Sequence, residues 1–144
     1  MESMSKRSRA RRRAVAVALA LTLAAVPVAL AGSGVSNGTY KGEESNGSNE
    51  VKLKVRDGKV TKFTAYVYAS CGFSNFLITV AYPPSHGGKP IKIRNKQFDK
   101  TFSGDPSVED DKRTISGEFQ GKNVEGQIKV EGPCSYNGTY TAKR

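Results

Sequence analysis

The sequence predicts an all-β domain, an antiparallel meander of about eight or nine strands that closes into a small barrel or a flattened sandwich and carries one disulfide. Three observations support this fold class. Apolar residues recur at every second position in short runs, Gly, Asn and Pro separate the runs, and the chain holds two cysteines. Side chains alternate between the two faces of a strand, so each run has one face suited to burial. Short turns between sequential strands give a meander, and closure removes exposed strand edges.

The clearest alternation lies near the C-terminus, between residues 112 and 131. Two runs of alternating apolar residues change phase at a two-residue turn, 121–122, which begins with glycine. A leading glycine is typical of a type II′ hairpin, and this turn places Phe119 opposite Val124. The apolar side chains of both runs then share one face, so the hairpin is predicted to cover one side of the core.

Residues 1–31 are predicted to be a secretory signal peptide. A polar, basic stretch comes first, residues 14–30 form an apolar run, and a small-x-small pattern places the cleavage after Ala31. The alternative is an uncleaved membrane anchor, but the run falls short of the ~20 residues of a span and contains Pro27. Cleavage leaves 17 Lys and Arg against 12 Asp and Glu, a formal charge of +5 instead of +10. Residues 32–144 then form a single secreted domain.

Cys71 and Cys134 are predicted to form a disulfide, because exported cysteines are usually oxidised and only one intramolecular pairing exists. The bond closes a loop of about 64 residues and stabilises the fold by about 4 kcal/mol, through the entropy that the unfolded chain loses. That is a large share of the ~5–15 kcal/mol net stability of a small domain.

The turn after the run at 51–55 decides which face of the next strand is buried. A two-residue turn at 57–58 would place Phe63 on the face away from Val51. A three-residue loop at 56–58, with its glycine left-handed, places Val51 opposite Phe63. The alternation therefore favours the three-residue loop.

The remaining elements follow from the same alternation and from the turn residues. Lys100 interrupts the apolar parity of its strand, so a bulge or a strand end is expected there. In chain order these elements are a short strand at 39–43, a turn at 45–49, a strand at 76–82 stopped by two prolines, a loop at 85–90, a short strand at 91–93, a turn at 95–96, a strand at 98–102, an acidic loop at 104–111 and a last strand at 136–143.

Four segments carry a resemblance to known proteins: Gly38-Thr39-Tyr40-Lys41-Gly42, the central strand that ends at Cys71, Ile115-Ser116-Gly117-Glu118-Phe119, and the closing stretch from Cys134 to Arg144. They resemble a group of small exported proteins of high-GC bacteria. The resemblance implies a secreted all-β domain with a link between its two cysteines, and it implies no activity. Members of the group often carry a tryptophan near the end, where this chain has Tyr140 and no tryptophan anywhere.

The residue types give little support to catalysis or metal binding, so we predict a protein that is not an enzyme and holds no metal or cofactor. His86, the single histidine, lies in a loop rich in Pro and Gly, and no nucleophile-elbow pattern occurs. Zinc sites use three or four Cys, His or carboxylate ligands, and the acidic loop at 104–111 lacks the spacing of an EF-hand. Glu118 and Glu125 are expected to be diagonal neighbours on an exposed face, where alternating charge explains them.

A basic face with two tyrosines is the candidate binding site. Lys52, Lys54, Lys62, Tyr66 and Tyr68 are predicted to point outward together. Such faces bind single-stranded nucleic acid in some proteins, but export argues against that partner. The predicted partner is an anionic polymer of the cell envelope or another protein. We therefore predict a monomeric, non-enzymatic binding module, secreted or envelope-associated, with no membrane span after cleavage.

Two alternative functions stay open at this stage. One is a small barrel that carries an apolar ligand, which requires a hollow interior. The other is an unrecognised hydrolase. Small inward side chains either leave room for a ligand or let aromatic rings pack tightly, and the short chain favours the filled core. The small residues are Ala65, Ala69, Gly117 and Gly126, and the aromatic ones are Phe63, Phe76, Phe98 and Phe119.

Overall fold

The computed structural model describes residues 34–144, which form nine strands and no helix. The predicted signal peptide and the cleavage after Ala31 lie outside the described residues. In chain order the strands are β1 (Gly38–Glu44), β2 (Glu50–Arg56), β3 (Lys59–Cys71), β4 (Ser74–Tyr82), β5 (Ile91–Lys92), β6 (Gln97–Ser103), β7 (Lys112–Gln120), β8 (Asn123–Glu131) and β9 (Tyr136–Lys143).

The strands join into one sheet that curls into a half-barrel. The hydrogen-bonded order is β4-β3-β2-β1-β9-β8-β7-β6, and β5 pairs with the start of β3. All pairs are antiparallel, and the first and last strands are neighbours, with Lys41 opposite Lys143. The predicted all-β antiparallel meander is confirmed, and the hydrogen-bonded path stays open between β4 and β6.

Side chains, rather than backbone hydrogen bonds, span the opening between β4 and β6. The rings of Tyr82 and Phe102 meet edge to face, with centroids 5.1 Å apart. Nη1 of Arg113 donates to the backbone oxygen of Thr79 at 2.7 Å. The carboxylate of Asp111 holds the same guanidinium at 3.0 Å. These contacts tie β4 to the β6–β7 side of the curled sheet.

Two turns have the conformation that their residues predict. Gly121 opens the β7–β8 turn with a φ of 63°, and Phe119 lies opposite Val124. In the turn before β6, Asn95 and Lys96 have φ values of 50° and 63°. Positive φ at both positions is what a type I′ turn requires. Local turn chemistry therefore sets the register in both places.

The turn between β2 and β3 differs from the prediction. Asp57 and Gly58 form a two-residue turn with φ values of 51° and 68°, so the predicted three-residue loop is wrong. Val55 lies opposite Val60, and both side chains are buried.

A β-bulge next to this turn explains why Phe63 is buried as well. The register shifts between Lys54 and Val55, which leaves Thr61 as the extra residue and places Leu53 opposite Phe63. The Thr61 hydroxyl donates to the backbone oxygen of Lys54 at 3.2 Å. Because a bulge reverses the phase of alternation, parity alone led to the wrong loop length.

Lys100 disturbs its strand less than the sequence predicts. Strand β6 continues through Lys100 without a register shift, and the lysine lies opposite Ile115, so the expected bulge or strand end is wrong. Its side chain is exposed, although Phe98 and Phe102 on the same parity are buried and half-buried. Because β6 is the last strand of the sheet, a long side chain reaches solvent past the free edge.

Tyr140 lies across two glycines in the centre of the inner face. Gly117 and Gly126 face each other on β7 and β8, and Gly126 also faces Tyr140 on β9. A Cβ atom at either glycine would overlap the tyrosine side chain. The Tyr140 hydroxyl donates to the backbone oxygen of Ser116 at 2.9 Å, and burial raises the pKa of Tyr140 above its ordinary value. The two glycines therefore provide the space that the ring occupies.

Aromatic rings fill the inner face around Tyr140. The ring of Phe63 meets Tyr140 edge-on with centroids 5.4 Å apart, and Tyr40 meets Phe119 in the same way at 5.3 Å. Phe98 packs against the other side of this group, 5.9 Å from Phe119. Edge-to-face pairs of this kind add to the stabilisation that burial of the rings gives.

The end of the β3–β4 hairpin extends beyond β2. Ala65 is the last residue of β3 with a partner on β2. Phe76, predicted to pack inside, is 55% exposed, because it lies on the edge strand β4, whereas its partner Ala69 on β3 is buried. The predicted disulfide is present at the tip of this extension, where Cys71 and Cys134 have Cα atoms 4.2 Å apart. A structural disulfide indicates a non-cytoplasmic environment.

A buried carboxylate clasps the β1–β2 loop to the start of β9. Glu44 is only 3% exposed, and it accepts hydrogen bonds from the Tyr136 hydroxyl at 2.5 Å, the Asn46 backbone at 2.8 Å and the Asn49 amide at 3.0 Å. Burial opposes ionisation of Glu44, but these hydrogen bonds outweigh it and hold its pKa below the ordinary value. Burial is the main cause that raises the pKa of Tyr136 above its ordinary value, and the hydrogen bond to Glu44 raises it further.

The replacement Gly126→Ala tests the packing of Tyr140. The added methyl group overlaps the ring and the neighbouring backbone oxygen, so we expect the free energy of unfolding to fall by about 2–3 kcal/mol. Urea titration followed by circular dichroism measures this change. The neighbouring outward replacement Glu125→Ala should change it by less than about 0.5 kcal/mol, and equal effects would contradict the packing argument.

The replacement Glu44→Gln tests the clasp. Because the folded-state pKa of Glu44 is lowered, its stabilisation is present above the unfolded pKa of about 4.3 and is lost as the pH falls through the folded value. We expect the variant to lose about 2 kcal/mol at neutral pH and to depend less on pH in the acid range. Urea titrations between neutral and acid pH measure both effects. The exposed neighbour serves as control: Glu43→Gln should keep the wild-type pH profile, and a Glu44→Gln profile equal to wild type would count against the clasp.

Candidate binding face

The predicted basic residues lie on the outer face of β2 and β3. Lys54 is directly opposite Lys62, and Lys52 is opposite Thr64. Tyr66 follows on the same face of β3 and is 39% exposed. Because like charges directly opposite each other on a sheet are destabilising, the Lys54–Lys62 pair lowers the stability of the free protein.

Four of the five predicted residues line one hollow of about 260 Å³. Tyr68, the fifth, lies further along β3 on the extended hairpin, opposite Leu77. The Glu50 carboxylate holds Lys52 at 2.9 Å, with both side chains about half exposed, and leaves the other lysines of the hollow unneutralised. The lining residues are Thr39, Glu50, Lys52, Lys54, Lys62, Thr64 and Tyr66.

The basic face continues onto β1 and β9, which sequence reasoning missed. Lys41 on β1 is opposite Lys52 on one side and opposite Lys143 on the other. The pairing of the first strand with the last brings Lys143 to this face. The alternation of the apolar Tyr40 with Lys41 in the sequence could have predicted that Lys41 points outward. No local pattern predicts that β1 pairs with β9. We call the outward lysines of these four strands the lysine face: Lys41, Lys52, Lys54, Lys62 and Lys143.

A second group of cations rings the end of the half-barrel that lies away from the disulfide. Lys59 is opposite Lys92, and the backbone nitrogen of Arg144 donates to the backbone oxygen of Lys122 at 2.9 Å. The Arg144 guanidinium reaches the backbone oxygen of Asn37 at 2.9 Å. These contacts join turns that are far apart in sequence. The exposed members of this cationic end are Arg56, Lys59, Lys92, Arg94, Lys96, Lys122, Lys143 and Arg144.

The opposite end carries the acidic loop and the disulfide. The loop between β6 and β7 holds Asp105, Glu109, Asp110 and Asp111. Asp105 accepts from the hydroxyl and the backbone nitrogen of Ser107, and these bonds hold its pKa below the ordinary value. The two ends of the domain therefore differ in the sign of their charge.

The carboxylates considered for hydrolysis lie in an open groove of about 1030 Å³. Glu118 and Glu125 are directly opposite each other on β7 and β8, so the predicted diagonal arrangement is wrong. The two-residue turn pairs Gln120 with Asn123, and counting back along β7 and forward along β8 from this pair brings the two glutamates together. Both side chains are exposed, and the Gln97 amide donates to Glu118 at 3.1 Å. His86 lies in an exposed loop and does not line this groove.

The part of the chain that the structure describes holds no cluster of three or more Cys, His, Asp or Glu side chains arranged to bind a metal ion. Within residues 34–144 there is also no helix with the length and apolar character needed to cross a membrane.

Neither a known protein family, nor a curated protein, nor a solved structure matches this chain.

Proposed function

We propose that this protein is a non-enzymatic binding module, secreted or attached to the cell envelope, which binds an anionic polymer on its lysine face. The observation that carries the proposal is the hollow on the outer face of β2 and β3, where three lysines and a tyrosine converge on one space. A single partner carboxylate, that of Glu50, accompanies them. Such an arrangement costs stability in the free protein and favours an anionic ligand.

The hollow suits the repeating acidic group of a polymer. Each lysine ammonium donates up to three hydrogen bonds, and the hydroxyls of Thr39 and Thr64 add neutral donors. Neighbouring strands lie about 4.8 Å apart, so the lysines of successive strands meet successive parts of an extended chain. A row that runs over β3, β2, β1 and β9 therefore supports a polymer rather than one small anion.

A location outside the cytoplasm limits the anionic polymers that the protein can meet. The disulfide between Cys71 and Cys134 belongs to a non-cytoplasmic protein, and the leading segment predicts export. Outside a bacterial cell, phosphate-rich or carboxylate-rich envelope polymers are the abundant polyanions, and nucleic acid is not the expected partner. The resemblance to exported bacterial proteins agrees with this choice.

The alternatives receive less support. A carrier needs interior space, whereas aromatic rings pack in pairs on the inner face, Tyr40 with Phe119 and Phe63 with Tyr140. A hydrolase needs a sheltered acid and base, whereas Glu118 and Glu125 are exposed.

The double replacement Lys54→Ala with Lys62→Ala tests the proposal. Inorganic polyphosphate is the probe, and its binding to the wild-type domain is measured by isothermal titration calorimetry at several salt concentrations. We expect wild-type affinity to fall with salt, and the variant to bind at least about tenfold more weakly with a flatter salt dependence, because two phosphate contacts are lost.

A matched pair of replacements controls for net charge. Lys112→Ala with Lys129→Ala removes the same charge from β7 and β8, where Lys129 already pairs with Glu131 at 2.8 Å. This control should bind polyphosphate nearly as well as wild type. Equal weakening in both double variants, or no binding by the wild type at low salt, would overturn the lysine face as the site.

A further inference from the structure

The end of the β3–β4 hairpin lies beyond the last residue of β3 that pairs with β2, and we call this segment, residues 66–79, the finger. Strand β2 covers β3 only as far as Ala65, and β4 follows β3 as far as the Cys71–Ser74 pair. Beyond Ala65 the finger is attached to the rest of the domain by the disulfide, by the Ser70–Ser135 bridge and by the hydrogen bond from Arg113 to Thr79. On its inner face Val67 and Ala69 are buried in the core. The finger is therefore a two-stranded segment that the disulfide and the bridge fix to the domain near its tip.

The finger exposes large apolar side chains and carries no charge. Phe73 at the turn is fully exposed, and Phe76, Leu77 and Tyr68 are 55%, 52% and 56% exposed. From residue 63 to residue 85 the chain holds no Asp, Glu, Lys or Arg, although these make up 25% of the protein. Phe76 lies on one face of the hairpin and Tyr68 with Leu77 on the other, so both faces of the finger offer apolar area to a partner.

The outer edge of the finger has unpaired backbone groups. The backbone nitrogen and oxygen of Ser70 bond to Ser135 at 2.9 Å and 2.8 Å, so they point away from β4. In an antiparallel pair of strands, the backbone N–H and C=O groups of two opposite residues either point toward each other or point away from each other. Asn75, the partner of Ser70 on β4, therefore directs its N–H and C=O to the open edge, and so do Leu77 and Thr79. The Thr79 oxygen is capped by Arg113 at 2.7 Å, whereas no described residue bonds to those of Asn75 and Leu77.

Natural proteins protect such edges with charged residues, proline or bulges. Strand β4 has none of these along Ser74–Tyr82. An unprotected apolar edge is suited to the addition of another strand.

We propose that the finger binds a second copy of this chain, with the two β4 strands antiparallel about a two-fold axis that places Phe76 opposite Phe76 of the second copy. In this register Asn75 of each copy pairs with Leu77 of the other. The N–H and C=O groups of Asn75 and Leu77, four on each copy, all find partners. Phe76 then occupies the closely spaced, non-hydrogen-bonded position, with Cα atoms about 4.5 Å apart.

Arg113 and the charge distribution favour this arrangement. The guanidinium occupies the Thr79 oxygen, so between Arg113 and the tip Asn75 and Leu77 are the residues of β4 with both backbone groups open. A register centred on Phe76 pairs these two residues. Two copies with the same net charge repel, but the uncharged finger lets them approach at the end away from the cationic residues. A lipid surface is less suitable, since acyl chains would leave the backbone of Asn75 and Leu77 without hydrogen-bond partners.

The exposed apolar area predicts a weak dimer. The four large side chains of the finger offer at most about 500 Å² per copy, or about 1,000 Å² in total, which is the lower limit for a specific interface. We expect a dissociation constant in the micromolar range or above. The sequence predicts a monomer, because nothing in it reveals that β4 lies at an open edge.

Cysteine cross-linking tests the register. Under mild oxidation Phe76→Cys should give a covalent dimer on a non-reducing gel, and peptide mass spectrometry should locate the bond between the two introduced cysteines. Tyr68→Cys is the matched control, since Tyr68 is equally exposed but lies on β3, one strand further from the edge. It should stay monomeric under the same conditions. Equal cross-linking of both variants would overturn the register.

Sedimentation equilibrium tests the dimer itself. The wild-type mass should rise toward twice the monomer mass between about 10 µM and about 1 mM, while Leu77→Lys, a charge on the open edge, should remain monomeric with an unchanged circular dichroism spectrum. A wild-type chain that stays monomeric throughout would overturn the proposal, and so would a monomer that binds neutral lipid vesicles through Leu77. Polyphosphate binding is unaffected by Leu77→Lys if the lysine face acts alone, so failure of one proposal is distinguishable from failure of the other.

Discussion

The contact between Tyr140 and two facing glycines is the constraint on which the curled sheet depends. With Gly126 and Gly117 beneath it, the ring lies flat enough against β7 and β8 for its hydroxyl to reach the Ser116 backbone. Its other side meets Phe63 on β3. One side chain therefore links the two halves of the sheet across the interior, and a larger residue at either glycine would force the halves apart.

The alternation of apolar residues was sufficient to predict the strands, because the period of two is a direct consequence of strand geometry. It was also sufficient for the β7–β8 register, where a glycine-first turn and an unbroken ladder agree. It failed at the turn before β3, because a bulge at Thr61 reverses the phase and allows Val60 and Phe63 to be buried together. Parity counting assumes an unbroken ladder, and no residue type marks a bulge of this kind.

The basic face was partly predictable for the same reason. Lys52, Lys54 and Lys62 follow from the parity of two consecutive strands joined by a short turn. Lys143 joins them only through the pairing of the chain's two ends, which depends on how the whole sheet curls. Phe76 shows the opposite limit. Parity assigned it to the inner face, but Phe76 lies on the open edge strand, and which strand lies at the edge is a property of the whole fold.

The unequal charge of the two ends gives the domain an electric dipole directed along its strands. A molecule with such a dipole turns as it approaches an anionic wall, so that the end with Lys59, Lys92 and Arg144 arrives first. The disulfide end, with its uncharged hairpin, is then left on the far side. Molecules layered on one surface in this way would all point in the same direction, so antiparallel pairing of β4 would join molecules of two facing layers rather than neighbours in one layer.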